Sequence, residues 1–347
     1  MKSLWSDQEA ARHRTPLALR AYTSRLLGRD RTLVLHGGGN TSVKLEQPNL
    51  FGEEESVLFV KGSGWDLETI EEAGFAPVRL EYLVRLARLD RLSDPDMMNE
   101  LQAQRLRASA PSPSVEAILH AILPFRYVDH THADAVLAIT NTAGGRRRVE
   151  EIYGDDVVVI PYVMPGFDLA KLCAREFPRQ RNSRTIGMVL MNHGVFSFGD
   201  SARASYERMI ALVDRAEHYL KRRGAWRIPS VKRPSTTASL GLEIARLRGE
   251  LSRHAGFPLV LRTTQTPVML EFCRRDDVTA LSQQGPATPD HSIRTKRTPL
   301  VGRDVRGYIR AYRKYFEAHA RTSREPKTML DPVPRVILDP ELGLCAA

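Results

Sequence analysis

The chain has 347 residues, of which 42% are hydrophobic and 27% charged, a balance typical of a globular protein long enough for two domains. No apolar run approaches the roughly 20 residues that span a bilayer, and the N-terminus lacks the apolar core of a secretory signal, so we expect a cytoplasmic protein without a membrane partner. Cys173, Cys273 and Cys345 are widely spaced and form no C-x-x-C pair, which argues against a disulfide framework and a cysteine-ligated metal.

The net charge of +10 is concentrated in the last third of the chain. Residues 221–347 contain 24 Lys and Arg against 12 Asp and Glu, whereas residues 1–220 contain 27 against 29. A basic region can bind nucleic acid, but no zinc-finger spacing, aromatic RNA-binding signature or recognition-helix pattern accompanies it. An anionic substrate or a solvated surface is the simpler interpretation, and a nucleic-acid partner is disfavoured.

The first predicted elements are two helices separated by three strands. We place the helices over residues 7–27 and 77–89, and the strands around 32–36, 42–46 and 56–61. The next segment, SPSVEAILHAILPF, predicts a third helix, because Ser112 can cap it and Pro113 suits its first position.

Strands and helices then alternate to the end of a first domain, which we place over residues 1–222. The segment YVDHTHADAVLAI predicts a strand leading into a helix, VVVIPYVMPG and RTIGMVLMNHGVFSFG predict strands, and SARASYERMIALVDRAEHYLKRR predicts a long helix. Residues 223–241 are rich in Pro, Ser, Thr and Arg and predict a linker. A smaller basic α/β domain follows over 242–347, with strands in PLVLRTTQ, VMLEFC and RVILD.

A glycine-rich loop lies near the start of the chain, in LVLHGGGNTSVKL at residues 33–45. The HGGG run is typical of esterase oxyanion holes, but the chain contains no G-x-S-x-G nucleophile motif. A phosphate cradle is a second interpretation, because glycines let backbone N–H groups converge on an anion. A hairpin turn is the third, and the loop alone does not separate them.

Three histidines suggest a metal centre. His130 and His132 are two residues apart on a probable strand, so both imidazoles project from one face, and His193 follows an apolar strand in N-H-G. Three neutral imidazoles with one open position are typical of a catalytic zinc site, although an H-x-H pair also occurs by coincidence. Glu116 lies close by in sequence, as a general base, a displaceable metal ligand or a helix-start carboxylate, and we expect His120 to be a satisfied, partly buried histidine.

Five motifs in register resemble those of the class II (zinc-dependent) aldolase/adducin family over roughly residues 10–222. They are G-G-G-N-x-S, K-G-S-G, S-V-E-x-x-x-H, H-T-H and N-H-G. The aldolase part of bifunctional rhamnulose-1-phosphate aldolase/short-chain dehydrogenase proteins is the most similar subgroup. The motifs L-P-F-R, D-H-T-H-A-D, P-Y-V-M-P-G and T-P-D-H-x-I-R-T-K-R carry that similarity.

The resemblance implies a three-layer α/β/α class II aldolase-like domain, assembled as a homotetramer. It implies zinc, or else manganese or cobalt, on His130, His132 and His193, with Glu116 as the catalytic carboxylate. The phosphate-binding positions that it implies are Gly38, Gly39, Asn40, Ser63, Gly64 and Ser114. The glycine loop is then best interpreted as part of a phosphate cradle.

The implied reaction is retro-aldol cleavage of a ketose 1-phosphate to dihydroxyacetone phosphate and an aldehyde. Tyr162 and Tyr153 are candidates to assist at the aldehyde oxygen, although each also suits a packing or interface role, and His291, Arg294 and Lys296 are candidate contacts to the substrate anion. Sugar-phosphate 4-epimerases, dehydratases and decarboxylases of the same family would use the same metal. An adducin-like structural role or a nucleic-acid-binding role would not use the metal.

Two departures from the family pattern affect these expectations. Simple sugar-phosphate aldolases have S-S-E where this chain has S-V-E, so one hydroxyl donor is missing from the phosphate site. The bifunctional proteins continue into a dehydrogenase with a G-x-G-x-x-G fingerprint, which this sequence lacks. We therefore expect no dehydrogenase activity from these residues.

Overall fold

The computed structural model describes residues 1–226, 240–323 and 326–347. These residues form two compact units. Unit 1 comprises Met1–Ala225 and Ala287–Asp290, and unit 2 comprises Trp226–Pro286 and His291–Ala347. Most of the predicted linker, residues 227–239, lies outside the described residues, so the predicted domain limits at 222 and 242 stay predictions.

A mixed seven-stranded sheet forms the middle of unit 1. Its strands are β1 (Asn40–Pro48), β2 (Glu54–Lys61), β3 (Phe75–Arg79), β4 (Tyr127–Thr131), β5 (Val157–Ile160), β6 (Gly187–Leu190) and β7 (Gly194–Gly199). They lie in the order β3-β2-β1-β4-β7-β6-β5. Neighbouring strands are antiparallel except β5 and β6, which are parallel.

Helices cover both faces of this sheet. They are α1 (Asp7–Ala10), α2 (Pro16–Gly28), α3 (Leu80–Leu86), α4 (Asp94–Ala103), α5 (Ala117–Ile122), α6 (Asp134–Thr140), α7 (Gly145–Tyr153), α8 (Phe167–Gln180) and α9 (Ala202–Arg222). Side chains alternate along β5, so Val158 and Ile160 pack with α3, α4, α5 and α8, while Val157 and Val159 pack with α2, α6, α7 and α9. The predicted three-layer α/β/α domain is confirmed.

Unit 2 has its own core, built on a four-stranded sheet ordered β8-β11-β10-β9. Its elements are α10 (Leu240–Ala255), β8 (Arg262–Thr264), α11 (Pro267–Cys273), α12 (Val278–Ser282), β9 (Leu300–Val301), α14 (Val305–Ala320), β10 (Val336–Asp339) and β11 (Gly343–Ala346). A single further turn, α13 (Pro289–Ser292), contains Asp290. Leu247, Leu251 and Ile309 from the helices pack on Ile337 and Cys345 of the sheet. The predicted smaller α/β domain is confirmed.

Prolines account for three incorrect predictions. The helix predicted over 7–27 is two helices, because Thr15 is extended before Pro16 and caps α2 by accepting a hydrogen bond from Ala18 N–H. The helix predicted over 77–89 begins only at Leu80, since Pro77 lies in the edge strand β3. VMLEFC is helical rather than extended, because Thr266 caps α11 and Pro267 occupies its first turn.

Two more incorrect predictions lie near the histidines. The strand predicted at 32–36 is a series of turns, and the Leu35 N–H donates to the Asp290 carboxylate instead of a neighbouring strand. The helix predicted from Ser112 begins only at Ala117, because Pro113 forms a β-bridge with Gly62 and Ser114 N–H donates to the Lys61 carbonyl.

Among the helices described, none combines the length and apolar character that crossing a membrane requires.

Candidate metal centre and catalytic carboxylate

The sheet brings the three histidines together. His130 lies in β4 and His132 directly follows that strand. His193 ends the tight turn at residues 191–193 between β6 and β7, where Asn192 adopts φ 58°. Because β7 pairs with β4, potential ligand atoms of the three buried side chains all lie within 4.8 Å of one another. This grouping is the one predicted from the sequence.

Hydrogen bonds set the ring orientation of two of these histidines. His130 Nδ1 lies 3.2 Å from the Val195 carbonyl, and His132 Nδ1 lies 2.7 Å from Asp290 Oδ1. Since both partners accept hydrogen bonds, the Nδ1 atoms carry the protons and the Nε2 atoms carry lone pairs. Both Nε2 atoms, and Nδ1 of His193, are buried without a hydrogen-bond partner.

Burial also favours the uncharged form of the imidazoles. It lowers the pKa of His130 well below its usual value, and the charges of His132 and His193 lower it further. Burial lowers the pKa of His193 too, against an opposing effect of Glu116. Neutral imidazoles with buried lone pairs are the donors that zinc and similar divalent metals prefer. The residues present therefore fit a metal ion.

Glu116 faces this triad from the residue before α5. Its Oε1 lies 3.4 Å from His193 Nε2 and its Oε2 lies 3.5 Å from His130 Nε2. Oε2 accepts a hydrogen bond of 2.6 Å from Asn40 Nδ2, whereas Oε1 is buried without a partner. One carboxylate oxygen is thus held in place and the other is left for a metal or a proton.

A buried network holds Asn40 in turn. Its Oδ1 accepts a hydrogen bond from His120 Nε2, and the hydroxyl of Ser42 lies 2.8 Å from His120 Nδ1. Asn40 Nδ2 also donates to Ser114 Oγ at 3.1 Å. Burial lowers the pKa of His120 to about 3, so this histidine is neutral and structural, as expected. Asn40 and Ser114, which the sequence predicts as phosphate-binding residues, both form hydrogen bonds with Glu116.

The glycine loop turns beside the triad rather than forming a hairpin. Gly37 and Gly39 have φ values of 80° and 59°, which glycine adopts readily. Lys61, buried at the end of β2, donates from Nζ to the Gly37 carbonyl at 2.8 Å. Because residues 32–36 form no strand, the hairpin interpretation of this loop is wrong. The phosphate-binding roles of Gly38, Gly39, Ser63 and Gly64 stay predictions.

The remaining candidates lie in different environments. Tyr162 is 52% exposed, and its catalytic role stays a prediction. Tyr153 packs in the core and donates to the Leu212 carbonyl at 2.9 Å, and burial raises its pKa. In unit 2, Lys296 is buried, its Nζ lies 4.5 Å from the centre of the Tyr312 ring, and burial lowers its pKa. The substrate contacts predicted for this unit, His291, Arg294 and Lys296, stay predictions.

Sequence reasoning missed two buried carboxylates, one of which contacts the triad. Asp290 contacts His132, although it directly precedes the predicted His291 in T-P-D-H. Asp129, directly before His130, forms a completely buried ion pair of 2.5 Å with Arg20. The D-H-T-H motif includes Asp129, but no pattern in α2 singled out Arg20.

Models of known families match most of the chain. Residues 18–220 match the class II aldolase and adducin N-terminal domain, and residues 238–347 match the second domain of class II aldolases. The chain belongs to the class II aldolase and adducin family. Class II aldolases are metal-dependent, which agrees with the donor set of the buried triad.

One curated relative matches nearly the whole chain. The chain is 31% identical to YuxG of Bacillus subtilis (strain 168), an uncharacterized oxidoreductase, over 99% of this chain and 52% of YuxG. The chain thus spans about half the length of the curated relative it matches.

Solved structures are similar to part of the chain. The N-terminal class II aldolase domain of a conserved Thermoplasma acidophilum protein is 41% identical, with a TM-score of 0.59 over 63% of this chain and 99% of that one. L-fuculose-1-phosphate aldolase from Thermus thermophilus is 17% identical, with a TM-score of 0.39 over 59% of this chain and 96% of that one.

Proposed function

We propose that this protein is a metal-dependent carbon–carbon lyase, which cleaves a ketose 1-phosphate similar to rhamnulose 1-phosphate into dihydroxyacetone phosphate and an aldehyde. The observation that carries the proposal is the buried histidine triad with unpartnered nitrogens, facing a carboxylate with one unpartnered oxygen. Family membership supports the reaction class. The choice of sugar rests on the sequence motifs shared with the rhamnulose-1-phosphate subgroup.

In this proposal His130, His132 and His193 hold a zinc ion, or manganese or cobalt in its place. A bound dication supplies electrostatic stabilisation of the negative charge that builds up on substrate oxygens as the carbon–carbon bond breaks. His130 and His193 stay neutral, because burial disfavours their charged forms. They therefore act as ligands and do not compete for the substrate proton.

Glu116 transfers the proton in this reaction. Its Oε2 is held by Asn40, so Oε1 has a defined position from which to accept a proton from a substrate hydroxyl and return it to carbon. Asn40 itself is fixed by His120 and Ser114. The carboxylate is thus oriented before substrate binds, which lowers the entropic cost of the proton transfer.

The rest of the site extends the proposal to the phosphate and the assembly. The loop at Gly38 and Gly39, together with Ser63, Gly64 and Ser114, is the proposed cradle for the phosphate, and Tyr162 is the proposed acid. We further propose a homotetramer in the cytoplasm, on the family resemblance. An adducin-like structural role is disfavoured, because all three histidines and Glu116 are present and grouped.

The test is product analysis of the zinc-loaded protein with rhamnulose 1-phosphate and other ketose 1-phosphates. Appearance of dihydroxyacetone phosphate and an aldehyde in equal amounts supports the lyase. A 4-epimerase would instead return an isomeric sugar phosphate and a dehydratase would release water, whereas a decarboxylase would leave these substrates unchanged because they carry no carboxyl group. Any of these outcomes in place of dihydroxyacetone phosphate would overturn the proposed reaction.

Glu116→Gln tests the proton transfer within that assay. The amide keeps the side-chain shape but cannot take up a proton, so we expect the turnover number to fall by about 10²–10⁴-fold. Zinc content should remain at the wild-type value, because the three histidines are intact. Unchanged turnover in this variant would remove Glu116 from the mechanism.

A further inference from the structure

We propose that Asp290 is a positioning residue for the metal centre, which holds the His132 ring so that its Nε2 lone pair faces the cation. This inference rests on the metal site of the proposed function and not on the reaction. Neither the sequence motifs nor the matched families assigned a role to this aspartate. Carboxylate partners of ligating histidines commonly fix the ring orientation and raise the basicity of the ligand.

The contacts of Asp290 support this role. Oδ1 lies 2.7 Å from His132 Nδ1, and Oδ2 accepts the Leu35 N–H at 2.9 Å. The side chain is only 4% exposed, so it is not a surface carboxylate that happens to lie nearby. Both carboxylate oxygens accept a hydrogen bond here, whereas an asparagine side chain has only one acceptor oxygen.

Gly38 provides a second and independent observation. A Cβ built on Gly38 would lie 1.6 Å from Asp290 Oδ1, so only glycine leaves room for this carboxylate. The φ angle of Gly38 lies outside the left-handed region, unlike those of Gly37 and Gly39. An alanine at position 38 would therefore be hindered by Asp290 and not by its own backbone.

The position of Asp290 along the chain makes this contact unexpected. Asp290 falls within residues 238–347, which match the second-domain model, yet Ala287–Asp290 belong to unit 1. Asn141 Nδ2 donates to the Ala287 carbonyl at 2.8 Å and anchors the start of this segment. By contrast, His130 is oriented by the carbonyl of Val195 in the adjacent strand β7. One metal ligand thus depends on a residue far along the sequence.

Zinc affinity, measured by competition with a chromophoric chelator on the full chain, tests the role. We expect Asp290→Asn to bind zinc about 10- to 100-fold more weakly than wild type. The amide must either leave one donor without an acceptor or turn its NH₂ toward His132 and select the wrong tautomer. Asp277→Asn is the matched control, because Asp277 is an exposed partner of Arg275 in unit 2, and its zinc affinity should equal that of wild type.

A double-mutant cycle separates positioning from a general loss of packing. Gly38→Ala should weaken zinc binding in the wild-type background, because the new methyl group displaces the carboxylate. In an Asp290→Ala background the same change should have little further effect, since the group that it displaces is gone. If the loss of zinc-binding free energy in the double variant equalled the sum of the losses in the two single variants, the proposal would be contradicted.

The tautomer of His132 in the metal-free protein is the readout that does not depend on metal. Imidazole ¹⁵N shifts should show Nδ1 protonated and Nε2 unprotonated in wild type, and a mixture or the opposite tautomer in Asp290→Asn. Wild-type zinc affinity together with an unchanged tautomer in Asp290→Asn would overturn the inference. Should wild type bind zinc tightly but cleave no sugar phosphate, the proposed reaction fails while Asp290 keeps its role.

If wild type binds no zinc, the metal centre of the proposed function fails, and the tautomer still tests whether Asp290 sets the ring of His132. Should Asp290→Asn not fold, the Gly38→Ala variant carries the same test, since it moves the carboxylate without removing it. Retention of the wild-type tautomer and zinc affinity in folded Gly38→Ala would also overturn the inference.

Discussion

Each of the two units contains a polar cluster around buried side chains, and the clusters differ in whether their hydrogen-bonding atoms have partners. In unit 1, the Nε2 atoms of His130 and His132 are buried without one. In unit 2, Arg303 donates to both carboxylate oxygens of Asp339, at 2.7 and 3.0 Å, and to Glu341 at 2.6 Å. The unit 2 cluster is complete in itself, whereas the unit 1 cluster has unpartnered donor atoms that could hold a cation.

The energetic consequence differs accordingly. Burial would raise the pKa of Asp339, but hydrogen bonds from Arg303 and from the backbone of Leu342 and Glu341 outweigh it, so the pKa is lowered. Such a satisfied cluster stabilises the fold. Unpartnered buried atoms cost roughly 1–3 kcal/mol each, which favours binding of a ligand that satisfies them. An incomplete cluster is therefore the stronger indication of a functional site.

The largest expected effect is the loss of zinc binding when one histidine of the unit 1 cluster is removed. His132→Ala removes one of three ligands, and we expect bound zinc to fall from one equivalent to none under conditions that saturate wild type, an affinity loss of about 10²-fold or more. Elemental analysis of both purified proteins measures it. Folded wild-type protein that stays metal-free in excess zinc would contradict the metal centre itself.

A smaller effect comes from breaking the complete cluster. Asp339→Ala leaves Arg303 and two backbone N–H groups without their acceptor, and we expect the free energy of unfolding to fall by about 2–3 kcal/mol, discounted because Arg303 is one-third exposed. Urea denaturation measures this loss. The zinc content should not change, and a variant as stable as wild type would show that this network adds nothing.

A third effect, which depends on pH, concerns Lys44 of unit 1, a partly buried cation whose Nζ donates to the Leu123 carbonyl. Burial lowers its pKa to about 7. Between pH 7 and 10 the folded state is then deprotonated while the unfolded lysine still holds its proton. Unfolding takes up a proton in this window, so this group makes stability rise with pH.

Lys44→Met removes that dependence. Its advantage in unfolding free energy over wild type should be largest near pH 7 and should shrink toward pH 10. Urea denaturation of both proteins at several pH values measures the difference. Parallel pH profiles for the two proteins would show that the pKa of Lys44 is the same in the folded and unfolded states.

Local patterns predicted the parts of the fold that depend on local forces. Short apolar runs predicted the strands β5, β6 and β7, and the spacing of His130 and His132 placed both on one face. Elements shaped by distant contacts were predicted incorrectly. The helix expected from Ser112 gives way to a bridge with Gly62, and the strand expected at 32–36 gives way to a contact with Asp290.

By itself, the sequence determined the α/β class, the family and the three histidines with Glu116, because these follow from periodicity and from short motifs. Only the tertiary structure decided which atoms of that set lack partners, how Asn40 orients Glu116, and that Asp290 supports His132. The physical reason is the separation along the chain of the residues that interact. Periodicity reflects which side of an element is buried, whereas a hydrogen bond between residues 158 positions apart exists only once the chain has folded.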